Sequence, residues 1–206
     1  MRVTVIDYKA GNLASVLKAL RHIGAEVEVT DGDTALIARA ERIVLPGVGH
    51  FAATQRLDAF GLTQAIRAAI ANGVPFLGIC VGMQWLYAGS TEAPEQPGLT
   101  YFHETCSRFP DCDEKVPHVG WNSLDVRPQS RLLAGVKSGE YVYFTHSFRA
   151  PVTADTAAEA NYIESFAAAV ERHNVMGVQF HPEKSGETGL KILRNFLAWN
   201  AEAAAC

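Results

Sequence analysis

Apolar and polar positions along the first half of the chain alternate between two periods. Val3 to Ile6 is a short β-type run, and Leu13, Val16, Leu17 and Leu20 then recur at the spacing of one helix face. Glu26 to Thr30 reads as a second strand. Ile43 to Leu45 reads as a third and ends in Pro46-Gly47-Val48-Gly49. A helical stretch through Ile66 to Ala71 precedes a fourth strand, Pro75 to Ile79. Strands separated by helices of this length predict parallel pairing, hence a doubly wound α/β sheet. In such sheets ligands bind beyond the C-terminal strand ends, where Pro46–Gly49 and Cys80 both fall.

From Gly98 onwards short strand-like stretches follow one another: 101–109, 118–126, 140–148, 157–163, 165–171 and 175–180. They predict antiparallel additions to the same sheet. A last helix is expected from about Ser185, burying Leu190, Leu193, Phe196 and Leu197. With no repeat and no linker rich in Pro, Gly or Ser, residues 1–206 are expected to form a single domain.

Composition narrows the function classes. The 206 residues are 48% hydrophobic and 19% charged, with a net charge of −4 and no basic run. The electrostatic footprint of a nucleic-acid binder is missing, as is a basic amphipathic helix for a membrane surface. Residues 68–91 carry no charge, but Asn72, Gly73, Pro75, Gly78, Gly82 and Gln84 punctuate them. The stretch therefore reads as helix end, buried strand, turn and new helix, not as a membrane span. Asp7 and Lys9 interrupt the apolar N-terminus, so no secretory signal is expected. Four cysteines (Cys80, Cys106, Cys112, Cys206) in a chain this long point to a reducing cytoplasm.

The strongest chemical signal is Gly78-Ile79-Cys80-Val81-Gly82, a Gly-x-Cys-x-Gly turn between an apolar strand and a helical pattern. This is a nucleophile elbow with cysteine in place of serine. It exposes the thiol at a helix N-terminus, which favours thiolate, and aims the Val81 N–H at a developing oxyanion. A free cysteine is otherwise most often a small buried hydrophobe; the paired glycines tip the reading to a nucleophile.

Among seven histidines, His181 stands at the end of another apolar strand and is followed by Pro182-Glu183. Proline biases His181 to extended backbone, where residues two apart face the same way. Glu183 can then orient the ring, as a triad requires. His146 is the competitor, also delivered by a strand but with no carboxylate nearby; it ranks as a substrate-side or interface residue. Glu171 and His173 share the two-residue spacing in what reads as a solvated polar turn. Pro46-Gly47-Val48-Gly49 lacks the third glycine of a dinucleotide site; it is either a tight turn or a donor of the second oxyanion N–H. Cys106 and Cys112, with five residues between them and His103 and His118 nearby, do not match zinc-module spacing. No metal or cofactor is signalled.

Together, Gly78–Gln84 and His181-Pro182-Glu183 resemble the class I (triad) glutamine amidotransferases. Val116–Asn122, Tyr143–Phe148 and His181–Ser185 are similar, within that family, to the glutaminase subunits of imidazole glycerol phosphate synthase, and the likeness extends over nearly the whole chain. The resemblance implies a flavodoxin-like fold and glutamine hydrolysis by Cys80, His181 and Glu183. It implies an oxyanion hole from Val48, Gly49 and Val81, and a glutamine pocket from Gly49, Gln84, Glu92 and Ser147. It also implies a heterodimer with a (β/α)8-barrel cyclase, met by Trp121, Asn122, Tyr143 and Lys184, with ammonia passed to that partner for histidine biosynthesis. Sister glutaminases, a cysteine peptidase or γ-glutamyl hydrolase, and a non-catalytic binding module remain as alternatives.

Overall fold

The computed structural model describes residues 1–10 and 13–199. Cys206 and the Ala-rich tail lie outside them. The chain runs β1 (Arg2–Ile6), α1 (Leu13–His22), β2 (Glu26–Thr30), α2 (Thr34–Ala38), β3 (Ile43–Gly47), α3 (Gln55–Ala59), α4 (Leu62–Ala71), β4 (Phe76–Cys80) and α5 (Val81–Gln84). It continues with β5 (Gly89–Ser90), β6 (Thr105–Arg108), β7 (His118–Ser123), β8 (Asp125–Val126), β9 (Tyr141–His146), β10 (Phe148–Arg149), β11 (Thr156–Tyr162), β12 (Glu164–Arg172), β13 (Val175–Val178) and α6 (Gly186–Leu197).

Eight strands form the main sheet in the order β2-β1-β3-β4-β13-β12-β11-β8. From β2 to β13 neighbouring strands are parallel, and β12, β11 and β8 add antiparallel. Every residue of β3 and β4 is buried, as expected of strands covered on both faces. Burying a Val, Leu or Ile there contributes about 1.5–3 kcal/mol each. Helices supply the cover through one-sided faces: α4 buries Leu62, Ile66, Ala69 and Ile70, and α6 buries Ile192, Leu193, Phe196 and Leu197, with Leu190 half-buried. Asp33 starts α2 by accepting the Ala35 and Leu36 N–H groups at 2.9 and 3.1 Å, a stabilisation of about 1 kcal/mol.

The second half departs from expectation in two ways. The stretch 175–180 gives β13, which is antiparallel to β12 but parallel to β4, so it completes the parallel half of the sheet. The stretches 118–126 and 140–148 contribute mostly to a separate two-stranded ribbon, β7–β9, and β5, β6 and β10 make a third, three-stranded sheet. The ribbon strands alternate buried with exposed positions, so they have only one face to bury and cannot enter a doubly covered sheet. Of 101–109 only Thr105–Arg108 is strand.

Candidate active site

Cys80 closes β4 in a conformation that few side chains adopt, φ +55° and ψ −111°. The strain is held by two close approaches. A Cβ on Gly78 would strike the Gly82 carbonyl, and a Cβ on Gly82 would strike the Leu45 carbonyl of β3. Both positions therefore require glycine. The helix that follows is a single turn, Val81–Gln84, shorter than the pattern implied. Its dipole is correspondingly weak, so the sulfur's polar contact comes from a neighbouring side chain.

That neighbour comes from β13. Register pairs Val178 with Ile79, which sets Gln179 beside Cys80, and the Gln179 amide Nε2 donates to Cys80 Sγ at 3.7 Å. Two residues on, His181 is buried, with Nδ1 2.9 Å from Glu183 Oε1. Glu183 reaches it from a 3-10 turn, Pro182–Lys184, not from continued extended chain. Nδ1 therefore carries the proton, donated to the carboxylate, and Nε2 is left without a hydrogen bond in a buried position. Burial, the largest influence on this ring, disfavours imidazolium, but the Cys80 sulfur and the Glu183 carboxylate together outweigh it and raise the pKa to about 9. The backbone is fixed as well: the His181 N–H donates to the Tyr143 carbonyl at 2.9 Å, and Ser185 Oγ donates to the His181 carbonyl at 2.6 Å.

A pocket of about 240 Å³ opens beside the sulfur. Val48, Gly49, Gln84, Glu92 and Ser147 line it, together with His146. The arrangement suits nucleophilic attack on a small acyl substrate: a strained thiol, an oriented imidazole, and a polar pocket in front of them.

The sequence profile of the family described as Glutamine amidotransferase class-I matches residues 4–199. The chain belongs to the class I glutamine amidotransferases. Among relatives of this amidotransferase, imidazole glycerol phosphate synthase subunit HisH of Syntrophotalea carbinolica is 45% identical over 203 residues, 94% of this chain and 98% of the relative. The HisH subunit of Aquifex aeolicus is 42% identical over 199 residues, 95% and 96% of the two chains. A crystal structure of a glutamine amidotransferase superposes with a TM-score of 0.75 over 95% of this chain and 97% of that one; at 19% identity it speaks for the fold alone.

Within the amidotransferase the expected pocket residues come together, with two changes of detail. The Val48 N–H donates to the Ala10 carbonyl at 3.0 Å, so in this conformation it is not a free oxyanion donor, and of that loop only Gly49 (φ +90°) can serve. Glu92 accepts the Phe51 N–H at 2.7 Å, so one of its oxygens already anchors the loop that carries Gly49. Val81 is the first residue of its helix turn, and its N–H has no intrahelical acceptor.

Trp121, Tyr143 and Lys184 gather apart from the pocket. The Trp121 and Tyr143 rings meet edge-on at 6.1 Å, and Lys184 Nζ lies 5.6 Å from the Tyr143 ring. Trp121, with Val119 and Tyr141 on the same ribbon, is more than half exposed. Asn122 points instead to the Asn161 carbonyl, at 2.9 Å.

Other sequence readings change. Glu171 is not solvated: its carboxylate accepts from Ser130 Oγ at 2.9 Å and from the Arg131 and Leu132 N–H groups, so it holds a turn. Cys106 is buried and Cys112 exposed, and no metal-binding cluster occurs among the described residues. None of their helices is long and apolar enough to cross a membrane. Gln179 and Ser185 were missed. Gln179 was in principle legible, because placing β13 beside β4 puts it next to Cys80.

Proposed function

We propose that this chain is the glutaminase subunit of an imidazole glycerol phosphate synthase, releasing ammonia from glutamine for a cyclase partner in histidine biosynthesis. The observation that carries the reading is the buried, unpaired His181 Nε2 beside a strained Cys80, with Nδ1 held by Glu183. The HisH relatives, matched over nearly their whole length, support the pathway.

In this mechanism Cys80 Sγ gives its proton to His181 Nε2 and attacks the carboxamide carbon, and the carbonyl electron pair moves to oxygen. The Gly49 and Val81 N–H groups receive that oxyanion, each such donor contributing about 3–4 kcal/mol in related chemistry. His181 Nε2 hands its proton to the departing nitrogen, the C–N bond breaks, and ammonia leaves a thioester. The same nitrogen then takes a proton from water as it attacks the thioester, giving glutamate and the free thiol. Glu183 stabilises the imidazolium throughout. Both hydrogens of the Gln84 amide are spent, on the Phe148 carbonyl at 2.9 Å and on Gln179 Oε1 at 3.0 Å. Its own oxygen is left to accept an N–H of glutamine, with Glu92 and Ser147 completing the pocket.

Exposed Trp121 and Lys184, with half-buried Tyr143 and Asn122, are the face offered to a (β/α)8-barrel cyclase in a heterodimer. Tyr143 is bonded to both His181 and Ser185 through its backbone, so docking there bears on the base, and an oxyanion loop completed only on docking makes turnover partner-dependent. Residues 1–206 act as one glutaminase domain, and the free thiols of Cys80, Cys106 and Cys112 suit a cytoplasmic site.

Glutamate release from glutamine, measured with the cyclase subunit and its nucleotide substrate beside a Cys80→Ala control, tests the reading. Turnover that needs the partner and vanishes in the variant is expected. Turnover indifferent to Cys80 overturns the nucleophile, and no turnover with any cyclase overturns the assignment.

A further inference from the structure

His118 and His146 face each other across the β7–β9 ribbon, with His118 Nδ1 3.3 Å from His146 Nε2, and the mechanism uses neither. Their tautomers follow from their neighbours. His146 Nδ1 lies 2.9 Å from the Phe148 carbonyl, which can only accept, so Nδ1 bears the hydrogen. His146 Nε2 is then bare, and His118 Nδ1 must donate to it. His118 Nε2 is bare in turn and faces the Asn122 amide nitrogen at 3.5 Å. Both rings are buried; His118 is stacked between Tyr162 at 4.1 Å and Phe144 at 4.9 Å. Burial holds both neutral, His146 lowered to about 3 and His118 to about 4. The donors therefore run in one direction, from Asn122 through two rings to the Phe148 carbonyl.

That carbonyl is shared. It also accepts the Gln84 amide, whose other hydrogen goes to Gln179, and Gln179 in turn donates to Cys80 Sγ. His146, Phe148 and Gln84 all line the pocket beside the nucleophile. We propose that His118 and His146 are positioning residues for substrate. By fixing the Phe148 carbonyl they hold Gln84 with its oxygen as the pocket's acceptor, which selects a ligand bearing N–H groups, a carboxamide with an ammonium, over one that offers only acceptors. The inference rests on the glutaminase reading and extends it to residues outside the triad.

The test uses His118→Leu, which removes the Nδ1 donor, and His118→Asn, whose side-chain amide can replace it. In the assembled synthase, saturation kinetics of Cys80 labelling by a glutamine-like diazoketone separate pocket affinity from the bond-forming rate. Iodoacetamide, which needs no pocket, reports on the sulfur alone. In His118→Leu the half-saturating concentration rises about tenfold, the loss of one oriented hydrogen bond. The maximal labelling rate and the iodoacetamide rate stay within about twofold, and His118→Asn restores affinity.

Unchanged affinity in His118→Leu, equal impairment of both variants, or a parallel fall in the iodoacetamide rate overturns the proposal. Ring ¹⁵N shifts of the unmodified protein test it without any variant. They should report hydrogen on Nδ1 of His146 at neutral pH, and hydrogen on Nε2 overturns it. Normal iodoacetamide labelling with no diazoketone labelling of the unmodified synthase marks failure of the glutaminase reading instead.

Discussion

Acid should find the His118–His146 pair before it finds the carboxylates. Both rings are held neutral by burial, with pKa values lowered from 6.5 to about 4 and about 3, while in the unfolded chain they titrate near the ordinary value. As pH falls below 6.5 the unfolded state takes up two protons that the folded state refuses. The stability this confers is complete above pH 6.5 and is lost as pH drops towards the folded-state values. At pH 4.5 both rings are still mostly neutral in the fold, and two pH units on two groups amount to about 5 kcal/mol. That is comparable with the whole stability of many domains, about 5–15 kcal/mol. The assay is denaturant unfolding at a series of pH values from 7 to 4.5, comparing the unmodified chain with a double His118→Gln, His146→Gln variant. The slope of unfolding free energy against pH should be shallower in the variant by an amount that grows from under about 1 kcal/mol per unit at pH 7 to about 2.4 near pH 5, whatever its absolute stability. All other titrating groups are common to both proteins and cancel. Equal slopes, or either ring titrating near 6.5 in the folded state by NMR, would refute the reasoning.

Other perturbations have equally definite outcomes. Glu183→Gln removes one of the two groups that lift His181, so the ring's pKa falls and glutaminase kcat drops by at least about a hundredfold; steady-state kinetics of the assembled synthase measures the loss. Gly82→Ala drives a methyl into the Leu45 carbonyl and should cost more than about 3 kcal/mol in chemical denaturation. Thr100 is a β-branched residue at φ +58°; Thr100→Gly relieves about 1–2 kcal/mol of strain, less the glycine's added unfolded-state freedom, and should raise stability by about 0.5 kcal/mol in the same measurement.

The parallel half of the fold was legible because its signals are local. Val3–Ile6, Ile43–Leu45 and Pro75–Ile79 are apolar runs that bury on both faces, Glu26–Thr30 alternates as an edge strand does, and Gly78 and Gly82 mark the elbow by a steric need that no other residue meets. The short helices Thr34–Ala38 and Gln55–Ala59 escaped because five residues hold too little of a 3.6-residue period to register. Pairing partners in the second half escaped for a different reason. Whether 118–123 joins the main sheet or forms a ribbon depends on what covers its second face, and that is a property of distant chain. The same holds within the site. Cys80, His181 and Glu183 carry motifs, whereas Gln179 and the His118–His146 pair acquire meaning only once β13 lies against β4 and β7 against β9. The Glu171 carboxylate was misread because a polar tetrapeptide gives no sign that the backbone of residues 131 and 132 will seek it out.

The strand that brings Gln179 and His181 to Cys80 lies near the middle of the sheet but is the last of the described strands along the chain. During synthesis β4 therefore emerges with an open edge, and the slot between it and β12 stays empty until Val175–Val178 has been made. Closing that slot joins segments about a hundred residues apart, the kind of step that makes folding slow and leaves partly assembled chains prone to associate through bare strand edges. It also sets an order of events. A ribosome-bound or truncated chain ending before β13 would hold the elbow cysteine without His181, so the proposed hydrolysis becomes possible only with the strand that seals the sheet.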